Sequence, residues 1–240
     1  RLIGRPEHRR AMLFDSYVFA LFLPVMLLMY WGLKGDARRW VLLAGNYFFY
    51  GWWDWRFCGL LGFSTVLDFV CAAAMNRSKE ASPRKRILFL SVVLNLGLLA
   101  AFKYFNFFRD SATLLFEALG IHSNLPLLNV VLPMGISFYT FQTMSYVIDV
   151  YRGEKPERSL LNFALFVSCF PHLVAGPIVR AGSLLPQLAT DRRFEQVDLS
   201  TGAYRIFRGL FKKMVVADAL ALYVDAVFAE PTAYAGLGAW

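Results

Sequence analysis

The sequence has little charge, few histidines and few cysteines for a chain of 240 residues. Asp, Glu, Lys and Arg make up 18% of it, and there are three cysteines and three histidines. The cysteines lie in or beside apolar runs without CxxC spacing, so they predict neither a disulfide framework nor a redox motif. The histidines have no ligand spacing, so we expect no metal site. The GxSxG, Walker A and GxGxxG signatures are also missing, which argues against several large enzyme classes.

Long apolar runs are present instead. Hydrophobic residues make up 58% of the chain, and apolar runs cover residues 17–32, 40–53, 57–75 and 87–105. The last two approach the ~20 residues needed to cross a hydrocarbon core. This pattern predicts an all-α, polytopic integral membrane protein with about four spanning segments. Since the basic residues lie in short loops between the runs, the net charge of +8 does not indicate nucleic-acid binding.

Polar residues on one face of a predicted helix, 134–152, indicate a cavity. Gln142, Ser145, Asp149 and Arg152 are three, four and three residues apart, which places them on one stripe. A charged group costs ~2.5–3.5 kcal/mol in hydrocarbon, so the stripe is expected to face protein or water. The opposite face carries Phe138, Tyr139, Thr143 and Tyr146.

Two simpler interpretations of charged residues at membrane depth remain open. Asp149 and Arg152 could form an ion pair at a helix end, near the lipid headgroups. Asp68, inside the run 57–75, is another carboxylate in an apolar segment. Such a residue is more often paired within a helix bundle than catalytic.

The next apolar segment, 160–179, is interrupted by residues that break helices. Pro171, Gly176 and Pro177 lie within it, with His172 at the predicted bend. Irregular backbone at membrane depth is tolerated only where protein or a water-filled cavity satisfies its polar groups. We therefore predict a re-entrant hairpin or a broken helix that lines the same cavity as the stripe. His172 is either a site residue or a histidine satisfied by a backbone carbonyl.

Two segments are predicted to lie at the membrane surface. Residues 114–128, with breaks at Gly120 and Pro126, indicate an interfacial connection. The region 201–229 predicts an amphipathic helix in its first half, where a basic face opposes an apolar face. The basic face holds Arg205, Arg208 and Lys212, and the apolar face holds Ile206, Phe207, Leu210, Phe211 and Met214. From position 217 onward the pattern becomes more apolar.

The distribution of basic residues predicts the orientation. Alternate loops hold eleven lysines and arginines, against three on the other side, which places the first set in the cytoplasm. The first set is Lys34, Arg38, Arg39, Arg77, Lys79, Arg84, Lys85, Arg86, Arg152, Lys155 and Arg158, and the second is Arg56, Lys103 and Arg109. The basic arm at 1–11 contradicts this orientation and does not begin with Met, so we interpret it as a non-native start. Residues 12–240 are then one part of a single membrane domain.

Several blocks of the sequence together resemble a known family. LPMGISFYTFQTMSYVIDVYR (132–152) is followed by FPHLVAGPIVR (170–180), and the blocks MLFDSYVFALFLPVMLLMYW and NYFFYGWWDWRF precede them. These blocks resemble the membrane-bound O-acyltransferase superfamily, in particular the branch of the alginate O-acetyltransferase membrane subunit. More distantly they resemble the teichoic-acid D-alanyl transfer protein. The resemblance covers 12–240 almost without a gap.

The resemblance implies a function, partners and a site. Such a protein takes an acyl group, expected to be acetyl, from a cytoplasmic thioester and delivers it toward hydroxyls of an extracellular polysaccharide or cell-wall polymer. Acetyl-CoA or an acyl carrier is then a substrate rather than a bound cofactor. The partners are membrane lipids, the polysaccharide acceptor and a periplasmic acetyltransferase or esterase-like protein, in a bacterial inner membrane. The expected tunnel-lining residues are Gln142, Ser145, Asp149, Arg152, Pro171, His172, Gly176, Pro177 and Arg180.

One expected motif has no counterpart in the sequence. The catalytic histidine of the family lies in a Trp-His motif in a later membrane helix, and nothing here matches it. His172 belongs to the earlier FPHLVAGP block and is only a weak candidate for that role. We therefore expect the chain to correspond to the N-terminal half of the enzyme and to be inactive alone. The alternatives are a non-catalytic component of polysaccharide modification or export, and a remnant that inserts without closing a core.

Overall fold

The computed structural model describes residues 12–78, 80–119, 132–173, 176–177, 179–190 and 193–229. Within these ranges the regular structure is entirely helical, which confirms the predicted class. The helices are α1 (Tyr17–Gly32), α2 (Gly35–Asp54), α3 (Arg56–Arg77), α4 (Ala81–Ala118), α5 (Ile136–Tyr151), α6 (Leu160–Ser168), α7 (Phe170–Leu173), α8 (Ala181–Ala189), α9 (Leu199–Phe211) and α10 (Asp218–Ala229). A 3-10 turn covers Phe194–Gln196, and a π-helical segment, Lys212–Ala217, joins α9 to α10.

The chain divides into two compact units. Helices α2 to α8 form the unit Leu33–Asp191, whereas α1, α9 and α10 belong to a unit that combines Arg1–Gly32 with Arg192–Trp240. The assignment of 12–240 to one membrane domain stays a prediction. Residues 1–11, the proposed non-native arm, lie outside the described residues.

Two of the described helices, α3 and α4, are long and apolar enough to cross a membrane. At a rise of ~1.5 Å per residue, the 38 residues of α4 extend about 57 Å, nearly twice the ~30 Å hydrocarbon core. The predicted connection at 114–128 is therefore wrong at its start, because residues 114–118 continue α4. Its sequence there, LLFEA, consists mostly of good helix formers. Gly120 and Pro126 lie outside the described residues.

The core of the α2–α8 unit surrounds α6. This helix is buried over nearly its whole length, from Asn162 to Ser168, as its uniformly apolar sequence predicts. The fully buried ring of Phe163 lies 4.6 Å from the ring of Tyr146 on α5 and 6.0 Å from that of Phe69 on α3, between centroids. Helix α3 also packs against α4 and α5. These aromatic contacts hold α6 against the longer helices α3 and α5.

An arginine at the start of α4 joins two of the predicted cytoplasmic loops. The Arg84 guanidinium donates to the carbonyl oxygens of Val150 and Tyr151, at 3.0 and 2.8 Å. A cation at this position satisfies two of the last carbonyls of α5 and lies at the negative end of its dipole. The start of α4 and the end of α5 are therefore at the same end of this unit, as the charge count requires.

In the other unit, the ends of α9 are held by charged side chains. The Asp198 carboxylate accepts from the backbone N–H and the hydroxyl of Thr201, at 3.0 and 2.6 Å, and caps the helix. The hydrogen bonds from Thr201 and Ser200 lower the pKa of Asp198 to about 2. In the π-helical segment, the Lys213 ammonium donates to Asp15 and, at 2.9 Å, to Asp218.

Candidate functional site

The predicted break in segment 160–179 is present. Helix α6 ends at Ser168, and Cys169 leaves the helical region with φ −55° and ψ 105° before α7 begins at Phe170. The sequence placed the bend at the prolines, but the first break precedes Pro171. Pro171 occupies the first turn of α7, where the missing N–H costs no helical hydrogen bond.

Asn46, near the middle of α2, joins the two sides of this break. Its side-chain nitrogen Nδ2 donates to Ser168 Oγ at 3.3 Å, and its oxygen Oδ1 accepts from the Phe170 backbone N–H at 3.3 Å. Ser168 Oγ in turn donates to the Ala164 carbonyl at 2.7 Å. The amide thus satisfies an N–H at the start of α7 that no helical carbonyl can reach. Asn46 is almost fully buried and makes both contacts directly.

His172 is buried and contacts the first residue of the predicted stripe. Its Nε2 lies 3.0 Å from Gln142 Nε2, and the same amide nitrogen donates to the Phe166 carbonyl at 3.1 Å. Because that carbonyl only accepts, the amide nitrogen rather than the amide oxygen faces it. The His172 imidazole and the Gln142 amide thus meet beside the Phe166 carbonyl. The amide oxygen of Gln142 has no partner among the described residues.

Gly176 packs directly on the backbone of His172. Its N–H donates to the His172 carbonyl at 3.2 Å. A Cβ at this position would lie 2.3 Å from the Cα and 2.6 Å from the Cβ of His172. Only glycine fits such an approach, so Gly176 allows the chain to turn tightly after α7.

The broken segment enters and leaves the unit at the same end. Before α6, the Glu157 N–H donates to the Tyr146 hydroxyl at 3.0 Å, close to the end of α5. After the turn, α8 packs against α6, and the Ala189 carbonyl accepts from Arg39 at the start of α2, at 3.0 Å. With only nine residues, α6 extends about 14 Å, roughly half of a bilayer core. Of the two predicted forms, the geometry matches the re-entrant hairpin.

The predicted stripe does not remain inward along α5. Gln142 is fully buried, but Ser145 and Asp149 are half-buried and Arg152 is exposed. The buried face is centred on residues that the stripe left outside, namely Tyr139, Thr143, Tyr146, Val147 and Val150. The expectation that all four stripe residues face inward is therefore wrong. Burying the rings of Tyr139 and Tyr146 stabilises the fold more than burying the polar stripe would. Helix α5 therefore turns these rings inward, and Gln142 lies at the edge of the buried face.

The other predicted tunnel residues are at the surface of the hairpin. Pro171, Pro177 and Arg180 are exposed, and Arg180 immediately precedes α8. The structure thus brings together Gln142, His172 and Gly176, and leaves Asp149, Arg152 and Arg180 apart from them. Whether any of these residues lines a substrate tunnel stays a prediction.

Asp68 forms the second buried polar cluster of this unit. Its carboxylate accepts from Ser91 Oγ at 2.7 Å and from Asn95 Nδ2 at 2.8 Å, both on α4. All three side chains are almost fully buried. The predicted pairing within the bundle is present, but its donors are neutral rather than basic. Since both donors come from α4, we assign the cluster a structural role between α3 and α4.

An aromatic groove lies near the turn between α2 and α3. It has a volume of about 530 Å³ and contains none of the predicted site residues; its lining is Tyr47, Phe48, Gly51, Trp52, Trp55 and Cys58. No group of three His, Cys, Asp or Glu side chains in the described ranges could hold a metal ion. The polar residues buried around the helix break are therefore the better candidate site.

An all-helical fold with long apolar helices and a hydrogen-bonded re-entrant break defines a polytopic membrane protein. The chain is homologous to O-acetyltransferases of the membrane-bound O-acyltransferase type, which confirms the resemblance seen in its sequence. It is 42% identical over 226 residues to the probable alginate O-acetylase AlgI of Pseudomonas aeruginosa and 41% identical over 222 residues to that of Pseudomonas syringae pv. tomato. A peptidoglycan O-acetyltransferase of Helicobacter pylori is 30% identical.

These alignments cover most of this chain but less than half of each relative. They include 91% of the chain and 42% of each of the two Pseudomonas proteins, and 93% of the chain and 47% of the Helicobacter protein. Neither a protein-family model nor a solved structure matches the chain.

Proposed function

We propose that this chain is part of a membrane O-acyltransferase of the bacterial inner membrane. The enzyme moves an acyl group, acetyl in the simplest case, from a cytoplasmic thioester such as acetyl-CoA or an acyl carrier toward hydroxyls of an extracellular polysaccharide. Alginate and a cell-wall polymer are the two acceptor classes that the relatives' names suggest. A periplasmic acetyltransferase or esterase-like protein would complete the transfer.

The observation that carries the proposal is about 40% identity to O-acetylases over nearly the whole chain. The re-entrant break supports it, because irregular backbone at mid-membrane depth is stable only beside protein or a passage for polar groups. Asn46, Gln142 and His172 place buried amide and imidazole groups at that point. A thioester or ester crossing the membrane needs such polar contacts in an otherwise apolar interior.

In this proposal the residues of the break form the wall of the passage. A general base contributes about 10²–10⁴ in rate by removing the proton of the accepting hydroxyl. The family's base lies in a Trp-His motif for which this sequence has no counterpart. His172 Nε2 already lies 3.0 Å from the Gln142 amide nitrogen, which suits a group that orients the hairpin or a ligand better than a free base. A non-catalytic role in polysaccharide modification or export is the second candidate, which the complementation experiment distinguishes from the first.

Complementation of a strain that lacks its own alginate O-acetylase tests the proposal. We expect the 240-residue chain alone to restore no polymer acetylation, whereas a longer protein that contains both this sequence and the Trp-His motif restores it. Acetylation by the short chain would make His172 the leading candidate for the base. No acetylation by the longer protein, although it is inserted, would favour the non-catalytic role.

A second comparison separates the roles of His172. In the longer protein, His172→Ala is expected to lower turnover less than loss of the histidine of the Trp-His motif. Membrane insertion, measured by fractionation and a folding-sensitive fluorescent fusion, serves as the control for each variant. Equal loss of turnover with intact insertion would contradict the wall assignment.

A further inference from the structure

Two buried tyrosines keep their hydroxyls without a hydrogen-bond partner. Tyr50 on α2 and Tyr139 on α5 are 2% and 1% exposed, and neither phenol oxygen has a partner among the described residues. Tyr146, on the same buried face of α5, accepts the Glu157 N–H at 3.0 Å. An unpartnered hydroxyl in a core costs about 1–3 kcal/mol, which phenylalanine would avoid.

Both tyrosines lie one helical turn from the re-entrant break. Tyr50 is four residues after Asn46, which bonds the first residue of α7, and Tyr139 is three residues before Gln142, which contacts His172. Residues at these spacings are neighbours on one helix face. The start of α2 and the end of α5 lie at the same end of the unit, so both tyrosines are displaced from the break in the same direction.

The two side chains are also near each other in the interior. They belong to the same buried cluster, and the Tyr50 phenol is within electrostatic range of the Tyr139 phenol. The amide oxygen of Gln142, one turn from Tyr139, is a third buried polar atom without a partner among the described residues. Seven buried side-chain atoms in the described residues lack a partner, and these three, two hydroxyl donors and one carbonyl acceptor, lie within one helical turn of the break. Buried polar groups are nearly always satisfied, so we interpret the three together as contacts for a ligand.

We propose that the Tyr50 and Tyr139 hydroxyls donate to the carbonyl oxygen of an acyl group held beside the break. This inference rests on the proposed function and names the substrate group and its donors. Neutral hydroxyls in an apolar interior suit a neutral carbonyl oxygen, because they bind it without a buried charge. The site on this chain then lies one turn beyond His172, toward the end of the unit where α2 ends and α5 begins.

Thermal unfolding of the purified chain in lipid nanodiscs tests whether the hydroxyls have a structural role. Tyr50→Phe and Tyr139→Phe are expected to leave Tm unchanged or to raise it, since each removes an unsatisfied group. The matched control is Tyr146→Phe, which removes a hydrogen bond and is expected to lower Tm. If the first two variants lower Tm as much as the control does, the hydroxyls have structural partners and the proposal is wrong.

Ligand binding to the same nanodiscs tests the carbonyl contact, with acetyl-CoA and CoA as probes. We expect acetyl-CoA to bind about 5- to 10-fold more tightly than CoA, the effect of one hydrogen bond. The Tyr50→Phe/Tyr139→Phe double variant is expected to lose this preference and keep its affinity for CoA. If the double variant keeps the preference for acetyl-CoA, the chain binds the acyl donor but the two tyrosines do not contact its carbonyl oxygen, and this inference is wrong. If neither probe binds, this inference is overturned, whereas the proposed function is judged separately by the complementation experiment with the longer protein.

Discussion

Asn46 shows how much of the candidate site depends on one side chain. It contacts Ser168 and Phe170, which are more than 120 positions away, and it satisfies both sides of a break that the local sequence cannot close. Its amide supplies a donor and an acceptor in one rigid group, which no apolar residue of similar size can do. The geometry of His172, two residues after Phe170, therefore depends on a residue of another helix.

Replacement of Asn46 by alanine is expected to destabilise the hairpin. The Phe170 N–H would be left buried without its acceptor, a loss of about 1–3 kcal/mol that lowers Tm by several degrees. Thermal unfolding in nanodiscs measures the effect. Asn76→Ala is the matched control, because Asn76 is exposed in the last turn of α3. Equal Tm shifts for the two variants would show that Asn46 does not hold the break.

Gly176→Ala is expected to destabilise the hairpin strongly. The new Cβ would meet the Cα of His172 at 2.3 Å, and backbone cannot move aside as a flexible side chain can. Overpacking of this kind costs about 1–3 kcal/mol or more. Gly182→Ala in α8 is the control, because nothing lies within 4 Å of its Cβ and alanine favours helix. A Gly176→Ala protein with the wild-type Tm would contradict the close approach.

At the scale of elements, the sequence predicted the existence of the helices better than their packing. Apolar length alone located α3 and α4, and Pro171, Gly176 and Pro177 correctly indicated a broken segment. The break itself falls at Cys169, because Asn46 stabilises the start of α7 there, and no local pattern reveals a partner on another helix. The stripe 142–152 failed for a similar reason. Angular spacing identifies a face, but tertiary packing decides which face is buried, and here Tyr139 and Tyr146 are buried.

Helix α9 is expected to bind anionic lipid surfaces through its two opposed faces. Among its described side chains, Phe207 is 70% and Phe211 59% exposed, and the basic face of Arg205, Arg208 and Lys212 is exposed as well. Each basic residue near an anionic surface contributes about 1 kcal/mol. Amide hydrogen exchange of 199–211 is therefore expected to be slower in anionic than in zwitterionic nanodiscs.

A triple variant separates charge from apolar burial in this experiment. Arg205→Gln/Arg208→Gln/Lys212→Gln is expected to remove the difference between the two lipid compositions, and salt is expected to weaken it in the unmodified chain. Exchange in α5, measured in the same samples, serves as the internal control. Identical exchange of α9 in both lipids would exclude an electrostatic contribution to its surface binding.

At the scale of the whole molecule, side-chain contacts bring together helix ends that the charge count places on one side of the membrane. Arg84 joins the start of α4 to the end of α5, and Arg39 joins the start of α2 to the end of α8. The start of α2, the start of α4 and the end of α5 carry basic residues that the charge count assigns to the cytoplasm. With the charge count, we therefore predict that the hairpin opens toward the cytoplasm.

Topology reporters test this orientation. A reporter fused in the basic segment 77–86, between α3 and the first turns of α4, is expected to report the cytoplasm, because the charge count assigns eleven basic residues to that side against three on the other. A reporter near Gly120, outside the described residues but two positions after the end of α4, is expected to report the periplasm. The length of α4 strengthens this expectation, since about 57 Å of helix cannot return to its starting side. The reverse result at both sites would invert the orientation and place the hairpin opening in the periplasm, away from any cytoplasmic thioester.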